Sequence, residues 1–123
     1  MKNSINVNTT TVYLVDQSSP ETEEYAFAYT IKITNHGEQA AQLLSRHWII
    51  IDGNNETQEV KGEGVVGEQP LLSPGGSFEY TSGTLMPTPV GTMHGRYLML
   101  GEDGTQFDAD IPMFRLVAAN TLH

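Results

Sequence analysis

Along most of this chain, apolar residues fall at every second position. In residues 25–33 the odd positions are Tyr25, Phe27, Tyr29, Ile31 and Ile33, and the even ones are Ala26, Ala28, Thr30 and Lys32. Strand side chains alternate between two faces, so this run predicts a strand with one buried face. Residues 12–15 predict a shorter strand, closed by Asp16-Gln17-Ser18-Ser19-Pro20, and residues 43–52 predict a longer one carrying Trp48-Ile49-Ile50-Ile51. Residues 57–61 and 77–82 alternate too, the second with Phe78 and Tyr80. In residues 92–100, Met93, Gly95, Tyr97 and Met99 share one face, with His94, Arg96, Leu98 and Leu100 opposite. Residues 107–117 follow, with Phe107, Ala109, Ile111 and Met113 on one side.

Turn chemistry separates these runs. Glu102-Asp103-Gly104-Thr105 is an Asp-Gly hairpin signal, and Asn35-His36-Gly37-Glu38 and Asp52-Gly53-Asn54-Asn55 mark two further turns. No window holds a helical period; residues 39–44 have helical composition, but their apolar spacing is too short to carry a helix. About seven antiparallel strands in one domain, residues 1–123, predict an all-β, two-sheet β-sandwich of immunoglobulin or fibronectin type III character. A closed barrel is the alternative. The expected core is the Tyr25–Ile33 face with Trp48, Phe78, Tyr80 and Tyr97.

Composition narrows the chemistry. Five Tyr, four Phe and one Trp among 38% hydrophobic residues suffice for a core without disulfide or metal staples. The absence of cysteine excludes disulfides, thiolate metal sites and cysteine nucleophiles. A formal net charge of −9 repels nucleic-acid backbones and anionic membrane surfaces. The first residues, Met1-Lys2-Asn3-Ser4-Ile5-Asn6, lack the apolar run of a signal peptide, and no stretch reaches the length of a membrane span; a cytoplasmic protein is expected.

Gly62-Glu63-Gly64-Val65-Val66-Gly67 spells a dinucleotide-binding fingerprint. That fingerprint needs a helix to follow, whereas Pro70, Pro74, Gly75 and Gly76 come next and break one. Two roles remain for the stretch. Successive backbone N–H groups can cradle an anion in a nest, or the glycines supply backbone angles and close packing that the chain needs there.

Several blocks together carry a resemblance. They are Arg46-His47-Trp48-Ile49-Ile50-Ile51-Asp52, then Val60-Lys61 running through the glycine stretch to Glu68-Gln69-Pro70, then Leu72-Ser73-Pro74-Gly75. Phe78-Glu79-Tyr80-Thr81-Ser82-Gly83, Met93-His94-Gly95-Arg96-Tyr97 and, after Phe107, Ile111-Pro112-Met113-Phe114-Arg115-Leu116 complete them. In this order the chain resembles the bacterial ApaG family over essentially its whole length. The resemblance implies a fibronectin type III-like sandwich. It implies a link to cobalt and magnesium tolerance and to dinucleoside polyphosphate metabolism, and, through similar domains appended to eukaryotic F-box and DNA-polymerase-interacting proteins, a protein-binding module. It supplies no catalytic residues. Asp52-Gly53-Asn54-Asn55 departs from the family's turn spacing, which affects that turn alone.

The expected function is therefore a non-enzymatic module binding a protein partner, with no cofactor. Its surface would be the loop residues Gly62, Gly64, Val65, Val66, Gly67, Gln69 and Pro70, flanked by Arg46, His47 and Lys61. Val65, Val66, Leu71 and Leu72 must either tuck onto the sandwich or await a partner, and Pro70 and Pro74 hold the segment partly preorganised. An edge strand offers a route to a homodimer. The alternative is a pyrophosphate or polyphosphate-nucleotide binder, or an enzyme, using the glycine stretch. Arg46-His47-Trp48 reads as core packing by Trp48 with surface pairing by Arg46, or as part of a ligand patch. His94, Asp108 and Asp110 are the one grouping with acid–base or metal-ligand character, but their spacing matches no metal motif, and no metal site is assigned. His36, in a turn, and His123, at the terminus, have no assigned role, and no nucleophile elbow or Ser-His-Asp order is present.

Overall fold

In the computed structural model, which describes residues 3–118, the alternating runs become eight antiparallel strands. They are β1 (Ile5–Tyr13), β2 (Tyr25–Asn35), β3 (Ala41–Asp52), β4 (Thr57–Glu63), β5 (Leu71–Leu72), β6 (Ser77–Met86), β7 (Val90–Gly101) and β8 (Gln106–Val117). Two short 3-10 turns, Val15–Gln17 and Pro20–Thr22, bridge β1 and β2. Among the described residues no helix is long and apolar enough to cross a membrane.

The strands form two sheets, ordered β1-β2-β6 and β4-β3-β7-β8, with β5 pairing β3 beyond the end of β4. Among the described residues no ladder joins the sheets, so the closed barrel is excluded and the sandwich stands. β1 packs beside β8 on one flank. β4 and β6, the outer strands of their sheets, border the other.

Burial follows from alternation. β2 sends Phe27, Tyr29, Ile31 and Ile33 inward, and β7 answers with Met93, Tyr97 and Met99. Trp48 centres the aromatic core, with Tyr29, Phe114 and Tyr97 ring centroids at 5.5, 5.9 and 6.4 Å in edge-on arrangements. The buried hydroxyls of Tyr80 and Tyr97 share a 2.5 Å hydrogen bond across the two sheets. Tyr25 and Phe78 are half-buried at the margin. Among the described residues Asn35 is the buried polar exception. Its Nδ2 donates to the Gln39 and Leu72 carbonyls, each at 2.9 Å, and its Oδ1 accepts from the Gly37 amide at 2.8 Å. Those bonds fasten β5 to the turn after β2.

Two expectations need correction. The N-terminal strand is not residues 12–15 but Ile5–Tyr13, paired with β2 from Ile5↔Asn35 to Tyr13↔Phe27. Ile5 and Val7 alternate with Asn6 and Asn8, but the next inward positions are Thr9 and Thr11, which suit a strand yet break the apolar alternation. Met113 is not inward; it is 64% exposed. The β7–β8 register shifts between Met93 and Gly95, leaving an extra residue at Pro112-Met113, and Phe114 and Leu116 take the inward places instead. Pro112 has no N–H to contribute to a ladder, so a bulge suits it. Likewise the β3–β7 register shifts between Leu43 and Ser45. Ala41 and Leu43 point inward before the shift, and Trp48 and Ile50 after it. Arg46 then falls on the inner side, opposite Tyr97 and Gly62.

Candidate binding face

The glycine stretch is a strand end running into a tight hairpin. Gly62 is not a loop residue; it lies in β4 opposite Arg46. A Cβ on Gly62 would stand 2.7 Å from Arg46 Nη2, so the missing side chain makes room for a guanidinium. Arg46 Nη1 donates to the carbonyls of Glu63 at 3.1 Å and Gly64 at 2.8 Å, latching the start of the hairpin to β3. Gly64 has φ +63°, and a Cβ there would collide with the Glu68 carbonyl.

Val65 and Glu68 exchange both backbone hydrogen bonds, at 2.8 and 2.9 Å. Between them Val66 has φ +44° and Gly67 φ +80°. Positive φ at both central residues is the type I′ turn, which favours Asn-Gly; a β-branched residue at the first position is strained. The Gly64 amide donates to Leu44 O at 2.8 Å. The amides of residues 64, 65 and 68 are thus consumed within the fold, and they do not converge on an anion.

The remaining loop residues divide by burial. Val65 was expected on the binding surface, but it is fully buried in the core beside Leu72, because the turn folds its apolar side chain back onto the sandwich. Val66 is 57% exposed and Leu71 66%. Gln69 Nε2 donates to Leu44 O at 2.8 Å, and the Pro70 carbonyl accepts the Leu43 N–H at 3.0 Å, so both brace the hairpin against β3.

Of the expected flanking residues, strand pairing puts His47 and Lys61 on the outer face of the larger sheet, whereas Arg46 is on the inner side and reaches the face only at its edge. Lys61, His47, Arg96 and Asp110 lie in one row across β4, β3, β7 and β8, and Ser45, Leu98 and Asp108 stand in the next. A cleft of about 450 Å³ opens there, lined by His47, Lys61, Glu63, Arg96, Leu98 and Asp108, with Arg46 at its edge. A second depression of about 430 Å³ lies further along the face, lined by Gln42, Leu71 and Leu100. Three of the chain's six Lys and Arg residues border the first cleft. His47 Nε2 meets Glu59 Oε2 at 2.6 Å. That bond, with the nearby Lys61 and Arg96 charges, holds the Glu59 carboxyl below its ordinary 4.5. Ser45 sits two positions from His47, roughly 7 Å along the strand, and no hydrogen bond joins them.

Comparison with known proteins places this geometry in a family. The family model described as "ApaG domain" matches residues 15–101. The chain belongs to the ApaG family. It is 58% identical over 122 residues to Protein ApaG of Pseudomonas paraeruginosa, covering 99% of this chain and 97% of that one. It is 60% identical over 111 residues to Protein ApaG of Dechloromonas aromatica, covering 90% and 87%. A crystal structure of a Bordetella pertussis protein given the name ApaA superposes with a TM-score of 0.91 at 52% identity, covering 94% of each chain.

In this ApaG-family chain the sequence did not point to Arg96, Ser45, Leu98 or Asp108 as neighbours of His47. The outward alternation of His94, Arg96 and Leu98 was visible, but their place beside His47 depends on β3–β7 pairing. His94, Asp108 and Asp110 are not brought together. Arg96 faces Asp110 and Leu98 faces Asp108, while His94 stands opposite Ile49 beside the β8 bulge. Among the described residues no three His, Asp or Glu side chains are grouped to hold a metal ion. His36 donates its backbone N–H to Ser4 O at 2.7 Å, and His123 lies outside the described residues.

Proposed function

We propose that this ApaG-family chain is a non-enzymatic binding module that docks a protein partner on the outer face of its larger sheet and the adjoining hairpin. One observation carries the proposal: Val66 stands exposed in a backbone conformation that penalises it, where Asn would be at ease. An apolar side chain held at a cost in stability suits a contact residue. Exposed Leu71 and the cationic cleft of His47, Lys61 and Arg96 supply apolar and charged contacts beside it, the mixture that protein interfaces use.

The test is capture of partners from the native cell by the wild-type chain, by Val66→Asn and by Leu71→Gln, with circular dichroism to verify folding. The proteins retained by wild type should be lost from both folded variants. Retention of the same proteins by both would remove the face from consideration.

A second reading rests on the same cleft. Four basic side chains, Arg46, His47, Lys61 and Arg96, border it in a chain of net charge −9, a concentration that suits pyrophosphate or a polyphosphate nucleotide. Saturable amide shifts at Lys61 and Arg96 on pyrophosphate titration would support it, and hydrolysis of a dinucleoside tetraphosphate would overturn the non-enzymatic proposal.

A further inference from the structure

The flank between β4 and β6 is open for a reason written in the sequence. The inward positions of β4 are Gln58, Val60 and Gly62, and the facing stretch of β6 is Ser82-Gly83-Thr84. Neither edge supplies a large side chain to seal the core beneath. Two cavities of about 220 Å³ each result, sharing Ile50 and Gln58 as walls and so forming one groove. Tyr29 and Trp48 form its floor.

The two ends of the groove differ in charge. Arg46 lines one end and Asp52 and Glu56 the other. Arg46 spends one nitrogen on the Glu63 and Gly64 carbonyls, and among the described residues no carboxylate lies within ion-pair distance of it. A guanidinium carries five N–H donors in a fork that matches a carboxylate. The outer edge of β4 is unpaired among the described residues, and an unpaired strand edge is a template for another strand.

We propose that the groove receives an extended segment of a partner protein, added as a strand along the free edge of β4, with an acidic side chain at Arg46 and a basic one toward Asp52 and Glu56. This rests on the binding-module proposal but uses a different surface. Residues of a strand at i and i+6 share a face and stand about 20 Å apart, which matches the six positions from Glu56 beside Asp52 to Gly62 beside Arg46. The segment therefore carries opposite charges six residues apart, with β-branched apolar residues between them over Val60 and Trp48.

Two synthetic peptides test it, acetyl-Lys-Thr-Val-Thr-Val-Thr-Glu-amide and its reversed sequence, because the charges fix the ends but not the chain direction. Amide shifts of the isotope-labelled protein report contact, and Trp48 supplies a single indole resonance. One peptide should give saturable shifts at Gln58, Val60, Gly62 and the indole, with about tenfold or greater weakening when its Glu is replaced by Gln. The replacement is made in the peptide, so the fold is untouched. Absence of those shifts with both peptides at millimolar concentration, or equal binding of the Gln version, would overturn the proposal. Val66 and Leu71 do not line the groove. Loss of partner capture in their variants with no peptide binding thus discards the groove alone, and peptide binding with unchanged capture discards the outer face alone.

Discussion

Replacing Val66 with Asn should make this protein more stable. Val66 occupies the first central position of a type I′ turn at φ +44°. An L residue in the left-handed region costs roughly 1–2 kcal/mol, and β-branching keeps Val at the upper end. Asn tolerates that region because its short side chain bonds locally. Val66 is 57% exposed, so its removal forfeits little burial. The net expectation is a gain of about 1 kcal/mol. Unfolding entropy of about 2.1 cal/mol/K per residue gives about 0.26 kcal/mol/K for 123 residues, so the midpoint should rise about 4 °C. Urea unfolding followed through Trp48 fluorescence should show a higher midpoint with an unchanged slope. Val66→Ala separates the causes, since it removes apolar surface but keeps a Cβ at positive φ; it should gain much less. If Val66→Asn is no more stable than wild type, or if Val66→Ala gains as much, backbone strain is not what Val66 contributes.

Further outcomes follow from other sites. Tyr97→Phe should destabilise by about 1–3 kcal/mol because it strands the Tyr80 hydroxyl in the core, whereas Tyr80→Phe with Tyr97→Phe should cost less than the two single changes summed; additive urea-melt energies would contradict this. Burial pushes the Tyr80 hydroxyl up to about 12, so the stability it carries is complete below the ordinary value near 10 and declines as pH rises toward 12; alkaline melts of wild type and Tyr80→Phe should diverge in that window. The Glu59 carboxyl is depressed, so its contribution is present above 4.5 and fades as pH falls below it; Glu59→Gln should be less stable than wild type above that pH and lose the difference in acid, and parallel acid profiles would refute the His47 bond's role. Gly64→Ala, with φ +63° and the Glu68 carbonyl in the way, should lose about 2–3 kcal/mol, while Gly67→Asn should be nearly neutral; equal thermal shifts for both would contradict the turn assignment.

The alternation of residues 25–33 made β2 legible because both its period and its aromatic content were unambiguous. β1 escaped because Ile5 and Val7 alternate with Asn for only four residues before Thr9-Thr10-Thr11 breaks the pattern. Phe114 escaped for a different reason. A bulge inserts one residue into a pattern, and nothing local marks where it falls until the neighbouring strand is known. The candidate site was legible in the same uneven way. The three glycines were conspicuous, but the purpose of Gly62 lies in Arg46, sixteen residues earlier, and appears only when β3 and β4 pair. His47 and Arg96 are brought together by a ladder between segments nearly fifty residues apart. Local patterns encode faces; which faces become neighbours is a property of the whole chain.

The extra residue in β3 near Leu44 works like a shift in reading frame. Before it, odd positions belong to the core; after it, even ones do. Deleting Leu44 would take the extra residue out and leave an unbroken alternation, with Leu43, Trp48 and Ile50 still on the inner side. Deleting Ile49 instead would exchange the faces of everything after it, turning Ile50 to water and driving Ile51 inward. Substitutions along β3 alter one place at a time, whereas a change in its length beyond the bulge inverts a whole segment. Lengthening or shortening there therefore has to be taken up in the turn at residues 53–56, where no core position depends on the count.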